Sequence, residues 1–437
     1  MRNGVRTACC AVLVLAAAAA CDTNVSNPGP VQDEFLAGTN IYGGAAALVS
    51  GAGRGVASGM NWVGYTGAAV AREIHPAGST GSYGITTRWQ NGELAADDGD
   101  LNDHWDQTQR GRWLAEEAVR RLEAAGPPPP NSAITVARYY DLLQLAYLYA
   151  GFANRVLGEN MCEAVFDGGP AQPGREYFVR AEEFFTKAIA VTGGTASVRT
   201  TQVNAAYAGR AQVRVFLDKW TEAVADAGQV PIGFNFTMPY YSLGEDAQRN
   251  RIFWSSGNSR ESGSAYRAHT EWNTWYYDYR QATNDPRVPI AITALVGDAA
   301  IECCGTVPFW PQAKHASSAA PIRLAGGREM RLIEAEALLR NNDATGGMAS
   351  INQVRTAAGA GTITATDLTD AWRLLKRERG IELWLETRRL GDRRRWGLAN
   401  TPGALDPLEV PGTASHLQRQ DLCFPVSRAE RETNPNF

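Results

Sequence analysis

The N-terminal half of the chain contains long segments in which apolar residues recur with the period of an α-helix. Within residues 102–126, Leu114 and Leu122 fall on one helical face, and the pattern ends at Gly126, directly before four prolines. Residues 133–158 repeat the pattern with aromatic and small residues. The sequence therefore predicts two long helices joined by a short proline-rich turn, which together form a helical hairpin.

A second pair of helical patterns follows at residues 175–191 and 204–230. The latter breaks near Asp218 and restarts at Trp220. Small residues face aromatic ones here, which allows stacked helix pairs to approach closely. The composition resembles that of tetratricopeptide repeats, although the strict signature of about 34 residues is absent. We predict degenerate helical repeats.

Helical periodicity is lost between residues 231 and 321, where Gly, Ser, Pro, Asn and aromatic residues indicate short strands and long loops. It returns at residues 325–342 and continues towards the C-terminus. We therefore predict a mainly α fold, a tetratricopeptide-like scaffold of helix pairs with a loop-rich irregular insertion. Its predicted parts are N-terminal helical (35–230), irregular and ligand-binding (231–321), and C-terminal helical (322–437).

The start of the chain has the character of a secretion signal. Two arginines precede the apolar run 8–20, which ends in small residues before Cys21. This start resembles a bacterial lipoprotein signal, so we predict a signal peptide at 1–20, lipidation of Cys21 and a flexible tether at 21–34. An ordinary signal-peptidase site is the alternative, because Ala18 occupies the position where lipoprotein signals prefer Leu. No later segment approaches the roughly 20 apolar residues of a membrane-spanning helix.

Composition narrows the class of protein. With 44% hydrophobic and 20% charged residues, the 437-residue chain has the composition of a globular protein. A net charge of -4 provides no overall field that would attract nucleic acid. Beyond Cys21 the cysteines are Cys162, Cys303, Cys304 and Cys423. Their even number permits two disulfides, but a single bridge or reduced thiols fit equally well, and the sequence does not define the pairing.

Motifs of catalysis, metal binding and cofactor binding are missing from the sequence. None of the five histidines forms an i, i+4 pair, and no nucleophile elbow, P-loop or strand-anchored dinucleotide fingerprint occurs. The glycines of Gly51–Gly59 fit a small-residue helix contact or a loop. The acidic run 97–105 imitates a calcium loop, but Asp103 replaces the turn glycine and Gln109 the final Glu, which favours an acidic helix N-cap. We predict a non-enzymatic protein without cofactor or metal.

Aromatic residues cluster in the irregular part, within residues 269–288. Flat rings stack on sugar faces or peptide side chains, and neighbouring amides and charges bind hydroxyl groups. The alternative for each ring is that it fills the core beneath the loops. The candidate ligand-binding residues are Trp272, Trp275, Tyr276, Asn273 and Arg280 in this segment, with Trp62 and Trp89 in similar settings.

Residues 375–397 contain seven arginines and one lysine against four acidic residues. Glu378, Glu382 and Glu386 would form a like-charge ladder on one helical face, which destabilises a helix unless cations neutralise it. Arg379 and the arginines after Glu386, including Arg389, are the nearest cations. Because guanidinium groups satisfy carboxylates bidentately, we predict an architectural Arg–Glu network rather than a phosphate-binding surface.

Four ordered blocks in the C-terminal part resemble the signature of the SusD/RagB family of nutrient-binding outer-membrane lipoproteins. They lie at residues 331–340, 351–359, 376–397 and 424–437, and the sequence DPRV at Asp285–Val288 is similar too. The resemblance implies a tetratricopeptide-like scaffold with a loop-rich ligand-binding part, anchored by lipid at the outer membrane. It also implies a partner, a TonB-dependent transporter of the SusC type, and a ligand that is an oligosaccharide or, in some members, a peptide.

We therefore expect a lipid-anchored cell-surface protein that binds a nutrient and passes it to that transporter. Two alternatives stay open at this point. Paired carboxylates in an exported glycan-processing hydrolase depend on a spatial separation that a sequence does not show. A repeat-type adaptor would instead bind another protein through the helix pairs themselves.

Overall fold

The computed structural model describes residues 40–76, 86–242, 248–253, 262–263, 274–292, 294, 310–412, 419 and 421–437. Its first helices are α1 (Ile41–Val70), α2 (Thr87–Gln90), α3 (Asn102–Ala125), α4 (Val136–Asn160), α5 (Arg175–Ala190), α6 (Ala196–Phe216) and α7 (Trp220–Ala227). The later helices are α8 (Arg251–Phe253), α9 (Trp275–Thr283), α10 (Gly327–Arg340), α11 (Ala344–Ala357), α12 (Leu368–Glu382), α13 (Arg389–Leu398) and α14 (Arg428–Thr433). The strands are β1 (His75–Pro76), β2 (Glu163–Ala164), β3 (Gln172–Pro173), β4 (Asn235–Met238), β5 (Ser262–Gly263) and β6 (Ile322–Gly326).

The predicted helical hairpins are present. Helices α3 and α4 pack against each other, and α5 and α6 form the next pair. The predicted interruption is confirmed: α6 ends at Phe216, Asp218 has a left-handed backbone with φ of 60°, and α7 begins at Trp220. The prediction of a mainly α fold built from tetratricopeptide-like helix pairs is confirmed.

Glycines allow α1 to lie close to α3. A Cβ atom added at Gly111 would lie 2.6 Å from the carbonyl oxygen of Gly55, and one added at Gly59 would lie 2.8 Å from the Cα of Thr108. Only a residue without a side chain permits this approach of two backbones. Of the two interpretations of Gly51–Gly59, the small-residue helix contact is therefore confirmed.

Short antiparallel strand pairs connect distant parts of the chain. Strand β4 pairs with β6, with an irregularity between Phe236 and Thr237, and β1 pairs with β5. The β4–β6 pair joins the start of the irregular part to the C-terminal part. The β1–β5 pair joins the segment after α1 to the irregular part. The boundaries of the predicted parts stay a prediction.

The apolar interior consists of a large cluster and a smaller C-terminal one. Helix α10 lies between them, because Met330 and Ile333 belong to the large cluster whereas Leu332 and Leu339 belong to the smaller one. Residues of α10 thus contribute to both clusters, while Arg331 and Glu334 stay partly exposed and form an ion pair at 2.8 Å.

A disulfide joins Cys162, just after α4, to Cys423 near the C-terminus, across 261 residues of sequence. The neighbouring backbone is paired too, since the N–H of Cys162 donates to the carbonyl of Phe424 at 2.9 Å. Of the pairings that the sequence left open, this one is present. Cys303 and Cys304 lie outside the described residues, as does Cys21.

Candidate ligand-binding site

Aromatic rings surround His104 near the start of α3. The ring of His104 stacks on Phe424 with centroids 5.1 Å apart and meets the rings of Trp62 and Trp89 edge-on at 5.4 and 5.5 Å. The guanidinium carbon of Arg251 lies 3.9 Å from the centroid of Trp62. Trp89 is buried whereas Trp62 is partly exposed.

His104 is a neutral structural residue. Burial, together with the charge of Arg251, lowers the pKa of His104 to about 3. Its Nδ1 lies 3.2 Å from the carbonyl oxygen of Asp100 and its Nε2 lies 2.7 Å from Oγ1 of Thr66. Because a carbonyl only accepts, Nδ1 bears the proton and Nε2 accepts from Thr66. This histidine holds the aromatic cluster in place and has no free nitrogen for acid–base chemistry.

A second group of rings joins α9 to the C-terminal part. Trp275 stacks on Tyr276 with centroids 3.9 Å apart, and Tyr276 stacks on Trp384 at 5.7 Å. The guanidinium carbon of Arg377 lies 5.3 Å from the centroids of both Trp275 and Tyr279. These rings anchor the beginning of α9 to the segment 375–397 and lie in the interior.

The candidate ligand-binding residues thus differ in exposure. Trp89, Trp275 and Tyr276 are buried, which matches the alternative that these rings fill the core. Trp62 and Arg280 are partly exposed, and Nη1 of Arg280 donates to the carbonyl of Asp285 at 3.3 Å. Trp272 and Asn273 lie outside the described residues. A ligand contact by any of the seven stays a prediction, and the burial of the first three does not favour it.

The predicted ladder of three glutamates on one helical face is wrong, because Glu378 and Glu382 lie on α12 whereas Glu386 lies in the turn that follows it. All three are buried and paired with cations from elsewhere in the chain. Their partners are Arg287 and Arg355 for Glu378, Arg323 and Arg328 for Glu382, and Lys314 and Arg323 for Glu386. Burial alone would raise the pKa of Glu386, but Arg323 and Lys314 outweigh it and hold the pKa below its usual range. The predicted architectural network is confirmed.

The partners within the network differ from the predicted ones. Arg379 donates to Asp392 at 2.8 and 3.0 Å, and Arg389 donates to Glu409 at 2.8 and 2.6 Å. The expectation that Arg379 and Arg389 neutralise Glu378, Glu382 and Glu386 is therefore wrong. The physical reason is that α12 ends at Glu382, after which the chain turns and directs the arginines of α13 towards other carboxylates.

The turn between α12 and α13 is held in an uncommon backbone conformation. Leu385 and Thr387 have φ of 57° and 65°, a region that L-residues rarely adopt. Glu73 accepts a hydrogen bond from the N–H of Leu385 at 2.9 Å, and Lys314 donates to the carbonyl of Trp384 at 2.6 Å. These contacts stabilise a turn whose backbone would otherwise be unfavourable by roughly 1–3 kcal/mol per residue.

A polar cleft of about 420 Å³ lies between the β4–β6 pair and this network. Its lining includes Asn235 and Thr237 on β4, Arg323 on the paired strand β6, Arg328 and Glu382. The charged groups here contact one another, as described above, so the cleft is a surface of the network.

A smaller pocket of about 290 Å³ lies beside α3 and includes Trp113, which is 50% exposed. No pattern in the sequence was interpreted above as indicating this pocket. The available signal was the position of Trp113 next to Leu114, on the polar side of the predicted helix, where a large apolar ring is not needed for the core.

The acidic run before α3 acts as a helix cap. The carboxylate of Asp98 accepts from the N–H of Asp100 at 3.0 Å, at the 3₁₀ turn Gly99–Leu101 that leads into α3, and also from Nε1 of Trp89 at 3.0 Å. An acidic N-cap is thus present at the 3₁₀ turn, whereas α3 itself begins after Leu101 without a side-chain cap. Among the described residues, no group of three or more His, Cys, Asp or Glu side chains could hold a metal ion. Nor does the described part of the chain contain a helix with the length and hydropathy of a membrane span.

Comparison with known proteins agrees with this architecture. Residues 312–435 match the model of the SusD family, and these residues contain the first three signature blocks and nearly all of the fourth. No curated protein sequence matches the chain.

Solved structures share the fold over most of the chain. A SusD/RagB family protein from Bacteroides thetaiotaomicron VPI-5482 is 13% identical, with a TM-score of 0.61, and the match covers 88% of this chain and 94% of that one. Surface glycan-binding protein A from Bacteroides uniformis is 13% identical, with a TM-score of 0.61 and coverage of 89% and 98%. A laminarin-binding SusD-like protein is 14% identical, with a TM-score of 0.57 and coverage of 90% and 97%. The C-terminal part of the chain thus matches the SusD family, and the chain shares its fold with SusD/RagB family proteins.

Proposed function

We propose that this protein is a cell-surface lipoprotein that binds an oligosaccharide and delivers it to a TonB-dependent SusC-type transporter in the outer membrane. The observation that supports the proposal most is the SusD family match over residues 312–435, where the buried network and the signature blocks coincide. Relatives in fold are named for binding of carbohydrate, surface glycan or laminarin. A peptide is the alternative ligand.

The ligand contacts that we propose are residues of α1 and of the irregular part. Trp62 and Arg280 are partly exposed, and we include Trp272 and Asn273 from the sequence before α9. Trp89, Trp275 and Tyr276 are buried, so we propose that they support this site from within. Stacking on a partly exposed ring with adjacent hydrogen-bonding groups is the usual way in which proteins hold sugars.

Binding without turnover is part of the proposal. The described histidines nearest to the aromatic groups, His104 and His315, are buried, and burial lowers their pKa to about 3 and about 4. Glu382 and Glu386, which line the polar cleft, are each held by cations. We therefore propose a binding protein with no catalytic step.

Affinity purification from detergent-solubilised membranes of the native host tests the delivery role. We expect the tagged protein to recover a large TonB-dependent barrel in near-equal amount, identified by mass spectrometry. A Cys21→Ser variant is the matched control for the anchor, since loss of lipidation should move the protein to the soluble fraction. Recovery of the unaltered protein alone, or from the soluble fraction, would contradict the proposal.

A further inference from the structure

The pocket beside Trp113 has the features of a binding site outside the proposed ligand contacts. On α3, Trp105, Gln109, Arg112 and Trp113 follow one another at helical spacing and form one wall. Val165, Asp167 and Gly168, after β2, and Glu430 on α14 complete the pocket. Its volume of about 290 Å³ is close to the lower end of the roughly 300–1,000 Å³ of ligand sites.

Several groups around this pocket are available to a ligand. Trp113 is 50% exposed and Arg110 is exposed too. Within the described part of the chain, neither side chain makes a hydrogen bond, an ion pair or a ring contact. The side chain of Asp167 is 55% exposed and shares one oxygen with Arg112. One oxygen of Glu430 accepts from Asn434, which leaves the other oxygen available. The pocket therefore offers an aromatic face, N–H donors and carboxylate acceptors.

The wall of the pocket is rigid. Arg112 is 97% buried as a side chain and donates to Gln109 at 3.0 Å, Glu116 at 2.9 Å and Asp167 at 2.8 Å. The loop that contains Asp167 has a left-handed backbone there, with φ of 54°. Asn434 fixes the loop to α14, because its side chain donates to the carbonyl of Gly169 at 2.9 Å. A preformed wall binds a ligand with less loss of conformational entropy.

From this geometry we propose that the Trp113 pocket binds one unit of a neutral saccharide. A pyranose ring would stack on Trp113, Arg110 would donate to its hydroxyl oxygens, and Asp167 and Glu430 would accept from its hydroxyl groups. The charge of Arg112 is satisfied by Glu116 and Asp167, and the remaining Arg110 and Glu430 balance each other, so an acidic sugar has no excess cation to bind. The inference rests on the proposed glycan binding but concerns a second site on the helical scaffold.

Titration calorimetry and native gel retardation of the full chain test this inference. The probes are laminarin and soluble starch as neutral polysaccharides and polygalacturonate as an acidic one. Trp113→Ala should weaken binding of the neutral polysaccharide about tenfold, Trp113→Phe less, and Arg110→Gln should weaken it as well. Leu398→Ala is the matched control, because Leu398 is 84% exposed and lies outside the pocket. Trp272→Ala reports on the proposed contacts of the irregular part in parallel.

The outcomes separate this inference from the proposed function. Weaker binding by the Trp113 and Arg110 variants, with unchanged Leu398→Ala, supports the second site. If both variants bind like the unaltered protein while Trp272→Ala loses affinity, the second site is wrong and the glycan-binding role stands. If the unaltered protein binds neither class of polysaccharide, both proposals fail. If Trp113→Ala loses the barrel in affinity purification but keeps its polysaccharide affinity, the pocket is a protein contact and the inference is overturned.

Discussion

The carboxylate of Glu382 has no exposed surface and contacts guanidinium groups of three arginines, Arg323 and Arg328 at 2.8 Å and Arg287 at 3.6 Å. Loss of this carboxylate would leave the buried Arg287 and the partly exposed Arg323 and Arg328 with one counter-charge fewer. The stability of the network is therefore sensitive to the substitution of a single residue. Its sensitivity follows from burial rather than from the number of ion pairs.

We predict that Glu382→Gln lowers the free energy of unfolding by about 3–5 kcal/mol, since the side-chain volume is kept while three arginines lose one buried counter-charge. Denaturant-induced unfolding followed by circular dichroism measures the change. Glu432→Gln is the control, because the Glu432–Arg428 pair has 60% of each side chain exposed, and its loss should change stability by less than about 1 kcal/mol. Equal effects of the two substitutions would show that the buried network does not stabilise the fold.

At the scale of elements, the approach of α1 to α3 depends on residues without side chains. Gly59 faces the backbone of Thr108, whereas Gly51, on the same helix, has no atom within 4 Å of an added Cβ. The same substitution therefore has opposite physical consequences eight residues apart. In the first case the helices must move, and in the second the helix gains intrinsic propensity.

We predict that Gly59→Ala lowers the free energy of unfolding by about 1–3 kcal/mol and that Gly51→Ala raises it by up to about 1 kcal/mol. Thermal and denaturant unfolding of both variants against the unaltered protein provide the measurement. A stabilising Gly59→Ala would mean that α1 and α3 are further apart than described here.

At the scale of the whole molecule, the disulfide connects the end of α4 to the C-terminal segment. The Cα atoms of Cys162 and Cys423 are 5.0 Å apart, and Phe424 beside the bridge is one of the rings around His104. The bridge thereby fixes the last signature block against the N-terminal helices. It also positions α14, which contributes Glu430 to the Trp113 pocket.

We predict that the double substitution Cys162→Ser and Cys423→Ser lowers the free energy of unfolding by about 2–5 kcal/mol, because a long loop of the unfolded chain is no longer closed. Unfolding in the presence and absence of a reducing agent measures this. The reductant should destabilise the unaltered protein to the level of the variant and leave the variant unchanged. If the reductant lowers the free energy of unfolding of the variant as much as that of the unaltered protein, the effect of the reductant comes from other cysteines.

Local pattern in the sequence determined the helices and the class of fold. Periodicity over ten or more residues defines a helix by itself, so α3, α4, the interruption at Asp218 and the helical C-terminal part were predictable, and the signature blocks predicted the family. The need for an Arg–Glu network was also local, because glutamates at intervals of four residues require cations, although only Glu378 and Glu382 lie on α12. The glycines of α1 were recognisable as a possible helix contact, but the length of that helix was not.

Tertiary structure alone decided which residues meet. Glu382 pairs with Arg323, 59 residues away in sequence, rather than with nearby Arg379, because the turn after α12 reorients the chain. Likewise, both residues are aromatic, but the ring of Tyr276 is buried whereas Trp113 is half-exposed. Sequence spacing defines the face of one element, whereas burial, ion-pair partners and disulfide pairing depend on which other elements cover that face.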